Sequence, residues 1–241
     1  MATTVSQIIA VNPATEELIA SFDAFGTEEV EMALAETHEA FLEWRERPIA
    51  ERAVPMRALA RLLRERAEPY ARLATLEMGK PIAEAKAEIE KCAFGCAHFA
   101  ETAARYLADE EIRANARRSI VAFQPLGVIL AVMPWNFPFW QVVRFAAPAL
   151  MAGNAGLLKH ASNVPQCALA IEEAIRDAGF PEGLLRTVLV SGAAIEPIIA
   201  DDRIRAVTLT GSSDTGSRIA ELAGRALKKS VLELGGSDPF I

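Results

Sequence analysis

Apolar residues recur at helical spacing through the first third of the chain, and the pattern changes after Ala108. Val30, Leu34, Phe41 and Trp44 form one helical series, led by a candidate N-cap at Thr27 with Glu28 and Glu29 in the first turn. Met56, Leu59, Leu62 and Leu63 give an apolar side to a helix over Arg52–Arg66. Pro69 opens a further helix that Gly79 closes. Pro81 opens a long one that runs to about Tyr106, with Ile82, Ile89, Ala93 and Phe99 turned inward. Glu111–Phe123 is weakly alternating and β-branched (Ile112, Ile120, Val121), and reads as a protruding two-stranded excursion. From Gly127 onward strands and helices alternate. The predicted strands are Gly127–Val132, Ala155–Lys159, Leu185–Val190, Ala206–Thr210 and Ser230–Leu234; the helices are Phe139–Met151, Val164–Ala178, Ala193–Ala200 and Asp214–Leu227. Several of these strands are almost wholly apolar, as when both faces of a sheet are covered. Such alternation with short turns predicts an α/β fold: a Rossmann-like, five-stranded parallel sheet flanked by helices, with N-terminal helices and a protruding hairpin. The expected organisation is a helical part at 1–108, the hairpin at 109–126 and an α/β dinucleotide-binding part at 127–241.

Composition narrows the function classes. The 241 residues carry a net charge of -7, with 51% hydrophobic and 24% charged residues, which is an ordinary globular balance. The acidic balance, with no basic stripe, disfavours nucleic acid as a partner. The longest apolar run, Gly127–Pro134, is too short to span a membrane, and Met1–Ala10 shows no secretory pattern. Three cysteines without a pairing pattern suggest a reducing, cytoplasmic compartment. Cys92 and Cys96 share a helix and lack further ligands, so they read as core, as does Cys167 in an apolar helix face. No metal site is expected.

The candidate chemistry falls at the carboxyl ends of the strands, where ligands gather in open parallel sheets. The first strand runs into Met133-Pro134-Trp135-Asn136-Phe137-Pro138. Two prolines stiffen this turn, so Asn136 is either an amide donor held for a developing oxyanion or an N-cap for the next helix. Lys159 is a cation at the end of an apolar strand, suited to ribose hydroxyls or phosphate, or simply snorkelling to solvent. Gly211–Gly216 is a strand-to-helix turn rich in hydroxyls, either an anion site or a plain capped turn. Glu233, followed by Leu234-Gly235-Gly236, is either a general base or a solvated strand-end charge. Arg144, among the apolar residues Val142, Val143, Phe145 and Ala146, calls for a carboxylate from a ligand or from the chain itself.

Taken together these segments resemble the aldehyde dehydrogenase superfamily over nearly the whole chain. The resemblance is carried by Asn12–Glu17, Glu77-Met78-Gly79-Lys80-Pro81, Pro125-Leu126-Gly127-Val128, Pro134–Pro138, Leu158-Lys159, Thr210-Gly211-Ser212 and Glu233-Leu234-Gly235-Gly236-Ser237-Asp238-Pro239. The Trp140–Arg144 continuation and the Ser237–Ile241 ending look most like the bacterial NAD(P)-dependent succinate semialdehyde dehydrogenases. The resemblance implies NAD(P)-dependent oxidation of an aldehyde to an acid, with succinate semialdehyde as the expected substrate and a homo-oligomer as the expected assembly. It implies that Asn136 holds the oxyanion, that Glu233 activates water and that Arg144 grips the distal carboxylate. Trp135, Lys159, Ser162, Gly211, Ser212, Leu234 and Gly235 would bind the dinucleotide. Ser162 stands where many NAD-preferring members carry a glutamate; a hydroxyl there leaves room for a 2′-phosphate, so both NAD and NADP remain open.

One expected group is missing. The family's nucleophilic cysteine lies beyond the Glu-Leu-Gly-Gly motif, and none of the three cysteines here occupies its position. The resemblance therefore implies a gene fragment or a truncated form, inactive alone, with a bare sheet face and weakened folding and dinucleotide binding. The alternative is a non-catalytic dinucleotide-binding or oligomerisation fragment. A related acyl-phosphate or acyl-CoA reductase would share the fold, but the Trp135-Asn136 pair argues against it.

Overall fold

The structure is a computed structural model that describes residues 6–237, 239 and 240. Asp238 and Ile241, which belong to the expected terminal motif, lie outside the described residues.

The described residues open with a hairpin, not with a helix. Strands β1 (Gln7–Val11) and β2 (Leu18–Asp23) pair antiparallel. The turn between them is set by Asn12, whose Oδ1 accepts a hydrogen bond from the Ala14 N–H at 2.9 Å. Four helices follow: α1 (Thr27–Trp44), α2 (Ile49–Glu65), α3 (Ala67–Met78) and α4 (Ile82–Tyr106). Thr27 is not the cap of α1. That place falls to Gly26, whose N–H donates to the Glu29 carboxylate at 2.9 Å. Pro69 lies inside α3 rather than at its start, whereas Gly79 does end it, at φ 77°, a left-handed value that suits glycine. In α4, Ile89, Ala93, Cys92 and Cys96 are fully buried, but Ile82 is exposed. The excursion is present as two short exposed strands, β3 (Glu110–Glu111) and β4 (Ile120–Val121).

The remainder alternates as the apolar pattern predicts: β5 (Val128–Met133), α5 (Trp140–Met151), β6 (Ala155–His160), α6 (Pro165–Asp177), β7 (Leu185–Thr187), α7 (Ile195–Ala200), β8 (Ile204–Gly211), α8 (Ser213–Arg225) and β9 (Lys229–Leu234). β7 is shorter than Leu185–Val190 because its ladder with β6 ends at Thr187. All five strands run parallel in the order β7-β6-β5-β8-β9. The chain thus builds outward from β5 in one direction and then, after α7, in the other. The strand order reverses between β5 and β8, and that switch point is where a crevice opens in such sheets.

Leu130, Leu157, Leu158, Val207 and Leu209 fill the centre of the sheet, and one continuous core joins them to Trp44, Met56, Leu63 and Ile89 of the N-terminal helices. The helices α1 to α4 therefore share one core with the sheet. Their role for the site is to fix α5 and α6. Arg52 of α2 donates to the Met151 carbonyl at 3.1 Å, and Trp44 Nε1 donates to the Leu150 carbonyl at 2.8 Å, so the carboxyl end of α5 is held by donors. At the other ends of α5 and α6, buried carboxylates accept from free backbone N–H groups. Glu77 takes those of Gln166 (2.8 Å) and Cys167 (2.9 Å), and Glu88 takes those of Phe139 (2.8 Å) and Trp140 (2.9 Å).

Candidate active site

The carboxyl ends of β5, β8 and β9 enclose an open cleft of about 550 Å³. Trp135, Asn136, Arg144, Ser212, Glu233 and Leu234 all line it, as do Gly211 and Gly235. Eight of the ten expected site residues are therefore gathered at one place. The other two, Lys159 and Ser162, sit at the carboxyl end of the neighbouring strand β6, where Lys159 is in register with Val132 of β5. Ser162 faces a separate small recess together with Ser6, Gln7, Asn163 and Ser191. No carboxylate lines that recess.

Asn136 is not the N-cap of α5. The helix begins at Trp140, and its first free N–H groups are taken by Glu88. The Asn136 side chain is exposed and has no protein hydrogen-bond partner among the described residues, so its amide N–H is available to a ligand. Lys159 is half-buried and likewise has no carboxylate partner among the described residues; burial alone pushes its ammonium below the ordinary lysine value. An unpaired cation under that strain favours an acceptor from outside the chain. Ser212 caps α8: its Oγ accepts from the Thr215 N–H at 3.3 Å and shares a 2.9 Å contact with the Thr215 hydroxyl. This leaves the N–H groups of Ser213 and Asp214 without intrahelical partners at the positive end of the helix. Gly216, one turn on, packs so closely on β9 that a Cβ there would meet Leu234 Cδ2 at 2.4 Å.

Arg144 projects from α5 into the same cleft. Its Nη2 donates to Thr210 Oγ1 at 3.2 Å, and its Nη1 lies 3.6 Å from the Glu233 carboxylate. The carboxylate partner that the sequence left open is thus Glu233 itself. Both side chains are well exposed, so the pair adds little to stability. None of the three cysteines lines the cleft. All are buried, Cys92 and Cys96 in α4 and Cys167 in α6, and burial holds their thiols protonated: Cys96 is pushed up to about 12, and the other two are also raised. No group of three His, Cys, Asp or Glu side chains among the described residues could hold a metal ion. No helix among them is long and apolar enough to cross a membrane.

A larger groove, about 970 Å³, lies away from the strand ends between α1 and α6. Glu36, Glu39, Glu43, Glu172 and Glu182 line it. Arg176 and Arg186 line it too, and Arg186 pairs with Glu36 and Glu172, but the glutamates outnumber the arginines; the groove's net negative charge disfavours a dinucleotide, so size does not identify the site.

A model of the aldehyde dehydrogenase family matches residues 1–241. The chain belongs to the aldehyde dehydrogenase family. Among curated relatives it is 55% identical over 234 residues to a Synechocystis sp. protein named a probable succinate-semialdehyde dehydrogenase (NADP(+)), covering 97% of this chain and 52% of that protein. It is 53% identical over 237 residues to succinate-semialdehyde dehydrogenase (NADP(+)) 1 of Mycobacterium tuberculosis, with the same coverage. Among solved structures, succinic semialdehyde dehydrogenase from Streptococcus pyogenes in complex with NADP+ superposes with a TM-score of 0.93 at 36% identity, over 96% of this chain and 51% of that one. The chain spans about half the length of the relatives it matches.

Within this aldehyde dehydrogenase fold, sequence reasoning passed over three residues that hold the cleft: Thr210, Lys80 and Glu88. Thr210 stands in the Thr-Gly-Ser segment as the last residue of a predicted strand, with no side-chain role. Lys80 stood inside the quoted Glu-Met-Gly-Lys-Pro segment without a role. Glu88 carried one available signal, a carboxylate on the inner face of α4 one residue before the fully buried Ile89.

Proposed function

We propose that this chain provides the dinucleotide-binding half of an NADP-dependent oxidation of succinate semialdehyde to succinate. The observation that carries the reading is the single cleft at the β5/β8 switch point, onto which an unpartnered amide, a carboxylate and a guanidinium open together. Hydride acceptance is the chemistry that a bound nicotinamide dinucleotide supplies. Lys159 would hold its adenosine ribose, and the free N–H groups at the start of α8, with Ser212, would meet its pyrophosphate. Trp135 would lie along the nicotinamide. The recess at Ser162 suits a 2′-phosphate, because no carboxylate there opposes the charge.

The substrate follows from the polar groups that remain. The Asn136 amide donates to the aldehyde oxygen as it gathers charge, and loss of such a donor costs about 3–4 kcal/mol at the transition state. Glu233 accepts a proton from the attacking water. Arg144 grips the substrate's distal carboxylate, which takes the place that Glu233 holds in the resting structure. That exchange would release the base as the acid-bearing substrate binds. None of the cleft's groups is a thiol.

The test joins residues 1–241 to the part of the Synechocystis relative that lies beyond the match. The fusion is expected to reduce NADP+ with succinate semialdehyde. Arg144→Ala should raise KM for that substrate about ten- to a hundredfold, the worth of a charge-assisted bond, and leave KM for a neutral aldehyde nearly unchanged. A fusion that reduces NADP+ with neutral aldehydes alone, or an Arg144→Ala variant that weakens both substrates equally, would overturn the substrate assignment.

A further inference from the structure

The Asn136 side chain makes no hydrogen bond among the described residues, yet the turn that carries it is held at three successive points. At Phe137, the Lys80 ammonium sits 3.7 Å from the centroid of the aromatic ring. At Pro138, the carbonyl oxygen lies 2.8 Å from His160 Nε2. The His160 tautomer is fixed by its other nitrogen: Nδ1 accepts from the Ala161 N–H at 2.8 Å, so Nε2 carries the proton and donates to Pro138. At Phe139 and Trp140, both N–H groups converge on Glu88 Oε1. Glu88 Oε2 in turn pairs with Lys80 Nζ. Lys80, Glu88 and His160 are each less than 10% exposed.

A buried ion pair is seldom retained for stability, since apolar residues of similar volume do as well or better. This pair does something a hydrophobic pair would not: one oxygen of Glu88 collects two backbone donors just beyond the turn, and Lys80 covers the aromatic residue directly after Asn136. We propose that Lys80, Glu88 and His160 are positioning residues for the reaction, which set the Asn136 amide at the mouth of the cleft without touching substrate or cofactor. The inference rests on the reading of Asn136 as the oxyanion donor. A misplacement of about 1 Å at a reacting group costs on the order of 10²-fold in rate, so a clamp on this turn acts on turnover rather than on affinity.

The experiment compares two paired variants. In Lys80→Met/Glu88→Met the charges are replaced by apolar side chains of similar length, and the two N–H groups lose their acceptor. In Lys80→Met/Glu88→Gln the charges are equally absent, but an amide oxygen remains for the same N–H groups. The first readout is nitrogen-15 relaxation of the 241-residue chain. The Asn136 side-chain amide and the backbone at 137–140 should become mobile in the Met/Met variant and return close to the parent in the Met/Gln variant, while the amides around Ser212 stay rigid in both. The second readout is turnover in the fusion. The Met/Met variant should lose about tenfold or more in kcat with KM for NADP+ within about threefold, and the Met/Gln variant should recover most of it. Unchanged relaxation at 136–140 in the Met/Met variant overturns the clamp, as does loosening that spreads equally to Ser212. An inactive parent fusion with the expected relaxation pattern would remove the catalytic reading and leave the clamp standing. A mobile turn with undiminished kcat would show that the clamp has no part in turnover.

Discussion

At the scale of single residues the cleft is defined by which polar groups the protein has used and which it has left over. Asn136 is left over because Glu88 performs the capping that the sequence offered to it. Lys159 is left over because, among the described residues, no carboxylate pairs with it at the end of β6. Arg144 and Glu233 are spent on each other, weakly, in a site open to solvent. His160 is the opposite case, a fully committed buried ring whose pKa is lowered to about 4, chiefly by desolvation. The unfolded chain binds a proton near the ordinary value of about 6.5, which the folded state refuses until pH falls near 4. Stability from this residue is therefore intact above pH 6.5 and declines as pH drops toward 4, by about 3 kcal/mol in all. Urea unfolding at pH 7.5 and pH 4.5 should show a smaller acid loss for His160→Gln, which keeps a donor for Pro138 and cannot titrate. Equal acid losses in parent and variant would mean that the ring is protonated in place.

At the scale of elements, the N-terminal helices act on the site by holding the ends of others. The two carboxylates Glu77 and Glu88 cap α6 and α5 from outside, across 89 and 51 residues of sequence respectively. Long-range caps of this kind are invisible to a local reading, which looks for Ser, Thr, Asp or Asn at the helix start itself. Removing Glu77 leaves two buried N–H groups unpaired, so Glu77→Ala should cost about 1–3 kcal/mol by urea unfolding, with Glu77→Gln recovering part of it. Equal loss from both variants would assign the effect to packing. The parallel strands were legible because β5 and most of β6 are apolar on both faces and β8 carries Ile204, Ala206, Val207 and Leu209, and the helices between them because their turns are short. The hairpin β1–β2 was missed although Asn12-Pro13 follows a β-branched run, Ile8-Ile9-Ala10-Val11, and precedes a second short apolar stretch, Leu18–Phe22. Each strand is only five or six residues long, too short to set a period against the helical spacing downstream. Start points also shifted where one residue type serves two roles: Pro69 suits a first turn, yet α3 begins two residues earlier at Ala67.

At the scale of the whole molecule, one core serves the sheet and the four N-terminal helices, and the functional groups sit on its carboxyl edge. The sheet is asymmetric. β5 and β6 are covered on both faces, while β9 is an edge strand largely exposed on both, with Val231 60% accessible. Glu233 and Leu234 thus lie on an exposed edge strand, and Gly235 directly after it, next to the site. The convergence of the strand-end residues could be read from the order of strands and turns alone, since every parallel strand delivers its carboxyl end to the same edge. The pairing of Arg144 with Glu233, and the separation of Ser162 into its own recess, depended on side-chain packing between β8, β9 and α5 that no local pattern encodes.

Calorimetric titration of NADP+ into the 241-residue chain and its Lys159→Ala variant asks whether this edge binds a dinucleotide. One saturable site per chain is expected, weakened about ten- to a hundredfold when the Lys159 ammonium is removed. A folded chain that takes up no NADP+, or one whose affinity is the same with and without Lys159, would contradict binding at this edge.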